Sequence, residues 1–367
     1  MALWIPWCNA IWQLRPAFSR LRTFLWFATA VAGFTVRTEL LGVTSLVRAL
    51  NLNARFYNKL VDHFHSPAVK LDRLAALWTQ TVLRLFPQPL RINGRCVVVG
   101  DGIKVPKRGR KMPGVKLLHQ QSESNTKPEY IMGHSLQAVS LLVHAAKLRS
   151  LLDDPKGLEQ AKSPVYGERQ VVIHYKVRDL LWRPAGRLVR FVAVIHPTRG
   201  SCLLMCTDTS LAAIEIIRLY GLRFKIEHTF KQAVRLIGSF SYHFWMSDMK
   251  PARRRSGNQH VHRASSEYRD LVRRKLHAYH VFIQAAVVCQ GLLQYLAVAF
   301  PQRVWDAFGS WLRTIRPGIP PSELVVANAL RHSMPEFLLN SAPDNVRAKF
   351  VIERQDTDKM QAFSLAA

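Results

Sequence analysis

The sequence predicts an α/β protein: a run of short strands with an antiparallel β insertion, flanked by N- and C-terminal helical regions. Three observations predict it. Apolar residues recur every three or four positions up to about residue 88, which is the helical period. Between about 95 and 206 they alternate every second position, with turn residues between the runs. After Asp208 the period returns to 3.6 and holds for a long helix. Four regions follow: helices over 1–90, a core over 91–240 with its insertion at about 165–206, a basic segment over 241–280, and helices over 281–367.

In the first region LLGVTSLVRALNL, FYNKLVDHFH and VKLDRLAALWTQTVLRLF read as amphipathic helices, closed by Pro87 and Pro89. RCVVVGDGIKVPK reads as a strand ending at Gly100-Asp101-Gly102. KLLHQQSE, HSLQAVSLLVHA, RQVVIHYKV, LVRFVAVIH and CLLMCTD read as further strands, separated by Pro- and Gly-bearing turns. LAAIEIIRLYGLRFKIEHTFKQAVRLIG reads as one helix expected to pack on the first three strands. Helices return from about residue 271.

Lys and Arg total 52 against 24 acidic residues, a net charge of +28 with a pI near 10.6. A chain that basic and that apolar meets a polyanion, and the clustering of its charge favours nucleic acid over an anionic membrane. Five cysteines with no CxxC pair suggest a reducing cytoplasm, and Cys202 and Cys206 read as part of a buried strand. Phe24–Val36 is too short to span a bilayer, and Val281–Phe300, interrupted by three glutamines, reads as a buried core helix. No membrane partner is expected.

Two acids stand where chemistry would use them. Asp101 sits between glycines, where its carboxylate has little steric cover and can offer hard oxygen to a divalent cation; a turn aspartate is the plain alternative. Tyr220, Arg223 and Glu227 occupy i, i+3 and i+7 of the long helix and share one face. The plain alternative for Glu227 is an i, i+4 pair with Lys231.

Tyr220-Gly-Leu-Arg223-Phe-Lys-Ile-Glu227 resembles the Y-(2)-R-(3)-E-(6)-K signature of a large class of bacterial insertion-sequence DDE transposases. GDGIKVPKRGRKMPGVKLLHQQSESN and the YHFWM…RRRSGNQ segment resemble that class too, from about residue 20 onward. The resemblance implies an RNase H-like core. It also implies metal-dependent cleavage and strand transfer at element ends, with two Mg²⁺ or Mn²⁺ ions held by three carboxylates. Asp101 and Glu227 match the first and third of these acids and are expected to approach each other. Tyr220 and Arg223 match residues that contact the element's end. Double-stranded DNA, a homodimer on that DNA, and a bacterial cytoplasmic location are implied. The signature lysine would fall at Val234, and Lys231 or Arg235 is expected to substitute for it, Lys231 as a DNA contact.

The second acid of the triad has no place. Between Lys147 and Ser163 lie only 15 residues, LRSLLDDPKGLEQAK, read as a polar linker, where a helix and a strand need roughly 30. Asp153-Asp154 lacks an apolar strand to position it, and Asp208 reads as a cap roughly 25 Å along the helix from Glu227. A catalytically defective transposase is therefore expected, the alternative being a non-catalytic DNA-binding remnant. Its DNA track would use Lys104, Lys107, Arg108, Arg110, Lys111 and Lys116, then Lys250, Arg253, Arg254, Arg255, Arg263, Arg269, Arg273, Arg274 and Lys275. Tyr242, Phe244, Trp245 and Tyr268 are interleaved with the second set as bases for stacking.

Overall fold

The computed structural model describes residues 2–92, 94–107, 111–120, 129–141, 159–165, 168, 170–182, 186–251, 259–309, 319–341 and 345–356. Five helices open the chain: α1 (Trp4–Trp12), α2 (Leu21–Val36), α3 (Gly42–Ala49), α4 (Tyr57–Phe64) and α5 (Leu71–Leu85). Strands follow: β1 (Arg91–Ile92), β2 (Arg95–Cys96), β3 (Val98–Pro106), β4 (Lys116–His119), β5 (Tyr130–Leu141), β6 (Glu159–Lys162), β7 (Val172–Trp182), β8 (Arg187–His196) and β9 (Gly200–Cys206). Then come α6 (Ala213–Gln232), α7 (Ser266–Ala299), α8 (Pro301–Phe308), α9 (Glu323–Ser341) and α10 (Val346–Ile352). The chain divides into two compact units.

The first unit comprises Met1–Pro89, Gly102–Ala138 and Phe230–Ala367. One apolar core runs through its helices. Every residue of α2 from Phe24 to Val36 is buried, because that segment is apolar on all faces and α3, α4, α7, α9 and α10 pack around it. Trp4 ties the start of the chain to its end. Its indole donates to the Leu330 carbonyl at 3.1 Å, and its ring stacks on Phe337 with centroids 5.4 Å apart. Phe282, fully buried on α7, lies among Phe34, Phe64, Tyr242 and Phe244. The Ser265 side chain caps α7 by accepting from Tyr268 N.

That arrangement redraws the sequence regions. The 280/281 boundary falls inside α7, whose 34 residues run unbroken, and the N- and C-terminal helices share a single core. As expected, the apolar part of α7 is a core segment. It is long and apolar enough to cross a membrane by length and composition, and 61% of that window is buried inside the protein.

Strands β3, β4 and β5 share one sheet in the order β3-β5-β4, as expected of the first three strands, and β4 pairs antiparallel with β5. The glycine–aspartate–glycine run does not end β3, which continues to Pro106. Neither Gly100 nor Gly102 adopts a positive φ, so no turn forms there and Asp101 lies within an extended strand.

The second unit comprises Leu90–Asp101 and Val139–Thr229. Its sheet is a four-stranded antiparallel meander, β6-β7-β8-β9, matching the expected insertion except at its start. Strand β6 lies in the stretch read as a linker. Its sequence, EQAK, carries one apolar residue and no alternation, so only the β7 ladder identifies it. On one face of the sheet Ile173, Tyr175, Val192, Val194 and Leu204 meet Leu211, Ala213, Ile216 and Ile217. The first half of α6 thus packs on this meander, although packing on the first three strands was expected. Cys202 is exposed and Cys206 half-buried, on an edge strand where a buried one was expected.

Candidate functional site

In the second unit α6 runs without a break from Ala213 to Gln232, so the 3.6-residue period holds through the Tyr220–Glu227 signature. Gly221 lies inside it for a packing reason. A Cβ there would overlap the Val165 side chain, so the glycine lets the helix approach the loop after β6. Replacing Gly221 with Ala is expected to destabilise this unit by roughly 1–2 kcal/mol, overpacking outweighing the ~1 kcal/mol gain in helix propensity. Chemical denaturation measures it, and Val165→Ala should recover only part of the loss, since the Cβ of residue 165 would still stand 2.8 Å from the added carbon. A G221A protein as stable as the parent would disprove the close approach.

Tyr220, Arg223 and Glu227 are all exposed on α6, Tyr220 by 47%. Arg223 Nη2 lies 3.5 Å from Asp101 Oδ2, which joins the first signature acid to the signature helix. Glu227 follows Arg223 by one turn, a rise of about 6 Å. The approach of Asp101 to this helix is therefore made through a guanidinium.

Asp208, expected to cap α6, instead closes a side-chain turn five residues before the helix starts. Its Oδ1 accepts from Ser210 N at 3.0 Å and from Ser210 Oγ at 2.6 Å, which holds its carboxyl below the usual range, with Arg95 3.9 Å away. The start of α6 at Ala213 leaves fourteen residues, about 21 Å of helix, before Glu227. Asp153 and Asp154 lie outside the described residues.

Two divalent ions do not fit what is assembled. Among the described residues no three His, Cys, Asp or Glu side chains gather to hold a metal. Beside Asp101 stands an arginine, whose fixed positive charge opposes a cation at that carboxylate.

The basic residues sort into surface and interior. Lys107 was expected on a DNA track but is only 6% exposed. Its ammonium donates to the Phe240 carbonyl at 2.7 Å and sits 4.5 Å over the Tyr279 ring; burial lowers its pKa to about 8. The signal was present in the sequence: Lys107 continues the alternation of Ile103 and buried Val105. Exposed Lys104 donates to the His119 carbonyl at 2.5 Å and half-buried Lys111 to the Ser247 carbonyl at 2.7 Å. Arg269 donates to the Ala264 carbonyl at 2.8 Å, and Arg273 pairs with Asp270 at 2.6 Å. Lys116, Lys231, Arg235, Lys250, Arg263 and Arg274 are exposed. Val234, at the signature lysine's place, is exposed in a π-helical turn at Ala233–Ile237. Arg108, Arg110, Arg253, Arg254 and Arg255 lie outside the described residues. Of the interleaved aromatics, Phe244 is core and Tyr242 packs against it, whereas Trp245 is 50% exposed and stacks on His243.

One cluster in the second unit gave no sequence signal. Glu168 accepts from His196 Nε2 at 2.8 Å, Arg199 at 2.8 Å and Ser163 Oγ at 3.0 Å. His196 first, then Arg199, pull its pKa down to about 2. These residues are 5 to 31 positions from Glu168, and the cluster pins the loop after β6 to the β8–β9 turn.

Comparison with known proteins finds no match among family models, curated proteins or solved structures.

Proposed function

We propose that this chain is a DNA-binding protein of the insertion-sequence transposase kind, with an RNase H-like core ancestry, that does not cut or join strands by itself. The observation that carries the reading is the exposed Tyr220–Arg223–Glu227 face of α6, with Arg223 held against Asp101. Charge supports it: a net +28 with exposed lysines and arginines suits a phosphate backbone. Arg223, 51% exposed, can turn from its single contact with the Asp101 carboxylate to a phosphate, which its guanidinium can meet with two hydrogen bonds. Tyr220 offers a ring face and a hydroxyl beside it.

The pairing of the first acid with arginine, and the lack of a place for a second acid, support the loss of cleavage. The test is gel retention and strand nicking on the element's terminal repeats, with Mg²⁺ or Mn²⁺. Retention without nicking is expected, weakened several-fold by Arg223→Ala. Metal-dependent nicking that disappears in both Asp101→Ala and Glu227→Ala would overturn the non-catalytic part. Failure to retain any DNA would overturn the whole reading.

A further inference from the structure

The β6–β9 sheet sorts its charges by face. Ile173, Tyr175, Val192, Val194 and Leu204 point to the α6 side, so the residues between them point outward. Both acids of these strands lie on the α6 side. Glu159 stands in register with Tyr175, and Asp179 accepts from the Arg190 guanidinium. The outward side carries Lys162, His174, Lys176, Arg178 and Arg187 and no acid. The registers set three of these basic residues beside apolar ones. Across β7, β8 and β9 run His174–Ile195–Ser201, then Lys176–Ala193–Leu203, then Arg178–Phe191–Met205. The basic residues thus form one line along β7, roughly 7 Å apart. Ile195, Ala193 and half-buried Phe191 form an apolar line beside it, widened by exposed Leu203 and Met205. Both lines end where Val189, opposite Leu180, is fully buried.

We propose that this outward face binds a single strand of nucleic acid, with phosphates along β7 and bases over β8 and β9. A single strand has the same two sides as the face: a line of negative charge and, beside it, unstacked bases that offer flat apolar surface to Phe191, Leu203 and Met205. A duplex keeps its bases stacked inside, so it would meet the basic line and leave the apolar line uncovered. An anionic membrane would meet the charge but offers no linear repeat for the line to match. The inference does not rest on the Tyr220–Arg223 face, to which the proposed reading assigns duplex DNA.

Fluorescence anisotropy of the full chain with a short labelled oligothymidylate, which forms no duplex, tests it over a salt series. Replacing exposed Lys176 and Arg178 together with Gln should weaken binding and lower the slope of log affinity against log salt by about 1.4, the share of two phosphates on a single strand. Lys59→Gln with Lys70→Gln, which removes two exposed charges from the first unit, should leave that slope unchanged. An abasic strand of equal length should bind the unaltered protein at least about fivefold more weakly, for want of bases to stack. Arg223→Ala should leave oligothymidylate binding unchanged while it weakens duplex retention, which separates this face from α6. No binding of oligothymidylate, an unchanged slope after the paired Gln replacement, or an abasic strand held as tightly would each overturn the proposal. So would an equal loss of slope on a duplex, binding lost equally in Arg223→Ala, or phosphatidylserine vesicles that compete for the face.

Discussion

Raising salt from 50 to 200 mM should loosen duplex DNA from this protein about a thousandfold, the change expected when about six phosphates are neutralised and their counterions released. The structure separates exposed lysines, which the proposed reading would place on the phosphates, from a buried one. Lys107→Met should leave the slope of log affinity against log salt unchanged, because its ammonium is buried against the Phe240 carbonyl and the Tyr279 ring. Replacing Arg253, Arg254 and Arg255 together with Ala should lower the slope by up to about 3, on all sequences alike. Fluorescence anisotropy over a salt series measures both. An unchanged slope after the triple replacement removes that cluster from the DNA track, and a slope that falls with Lys107→Met contradicts its interior placement.

Phe282→Ala should cost the first unit about 3–5 kcal/mol, a large part of the 5–15 kcal/mol that holds a typical folded domain. The ring is fully buried, with centroids 5.0 Å from Phe34 and 5.4 Å from Phe64, and its removal leaves a cavity that helices from both ends of the chain would have to fill. Urea denaturation should show a lower midpoint with an unchanged slope. A loss below about 1 kcal/mol would mean that the core collapses around the site.

Much of this was readable from residue periods. The helical and alternating stretches located most elements, and i, i+3, i+7 spacing put Tyr220, Arg223 and Glu227 on one exposed face. What could not be read depended on tertiary partners. Strand β6 exists because β7 offers it a ladder, and EQAK has no pattern of its own. Asp101 read as the end of a strand because glycines flank it, yet β3 runs straight through. Arg223 beside Asp101 joins positions more than a hundred residues apart, which no local spacing encodes. Lys107 shows the opposite case, since its alternation with Val105 was legible and its charge outweighed that signal in the reading.

The shared core of the first unit has a consequence during synthesis. Helices α1 to α5 leave the ribosome with their apolar faces bare, because α7, which covers them, lies roughly 200 residues later, on the order of ten to forty seconds at 5–20 residues per second. In that interval the meander, whose strands join neighbours in sequence, can complete its own pairing. The nascent chain thus carries a finished insert inside an unfinished host. Phe24, Phe27 and Phe34, all destined for the interior, stay open to chaperones until the last helices arrive.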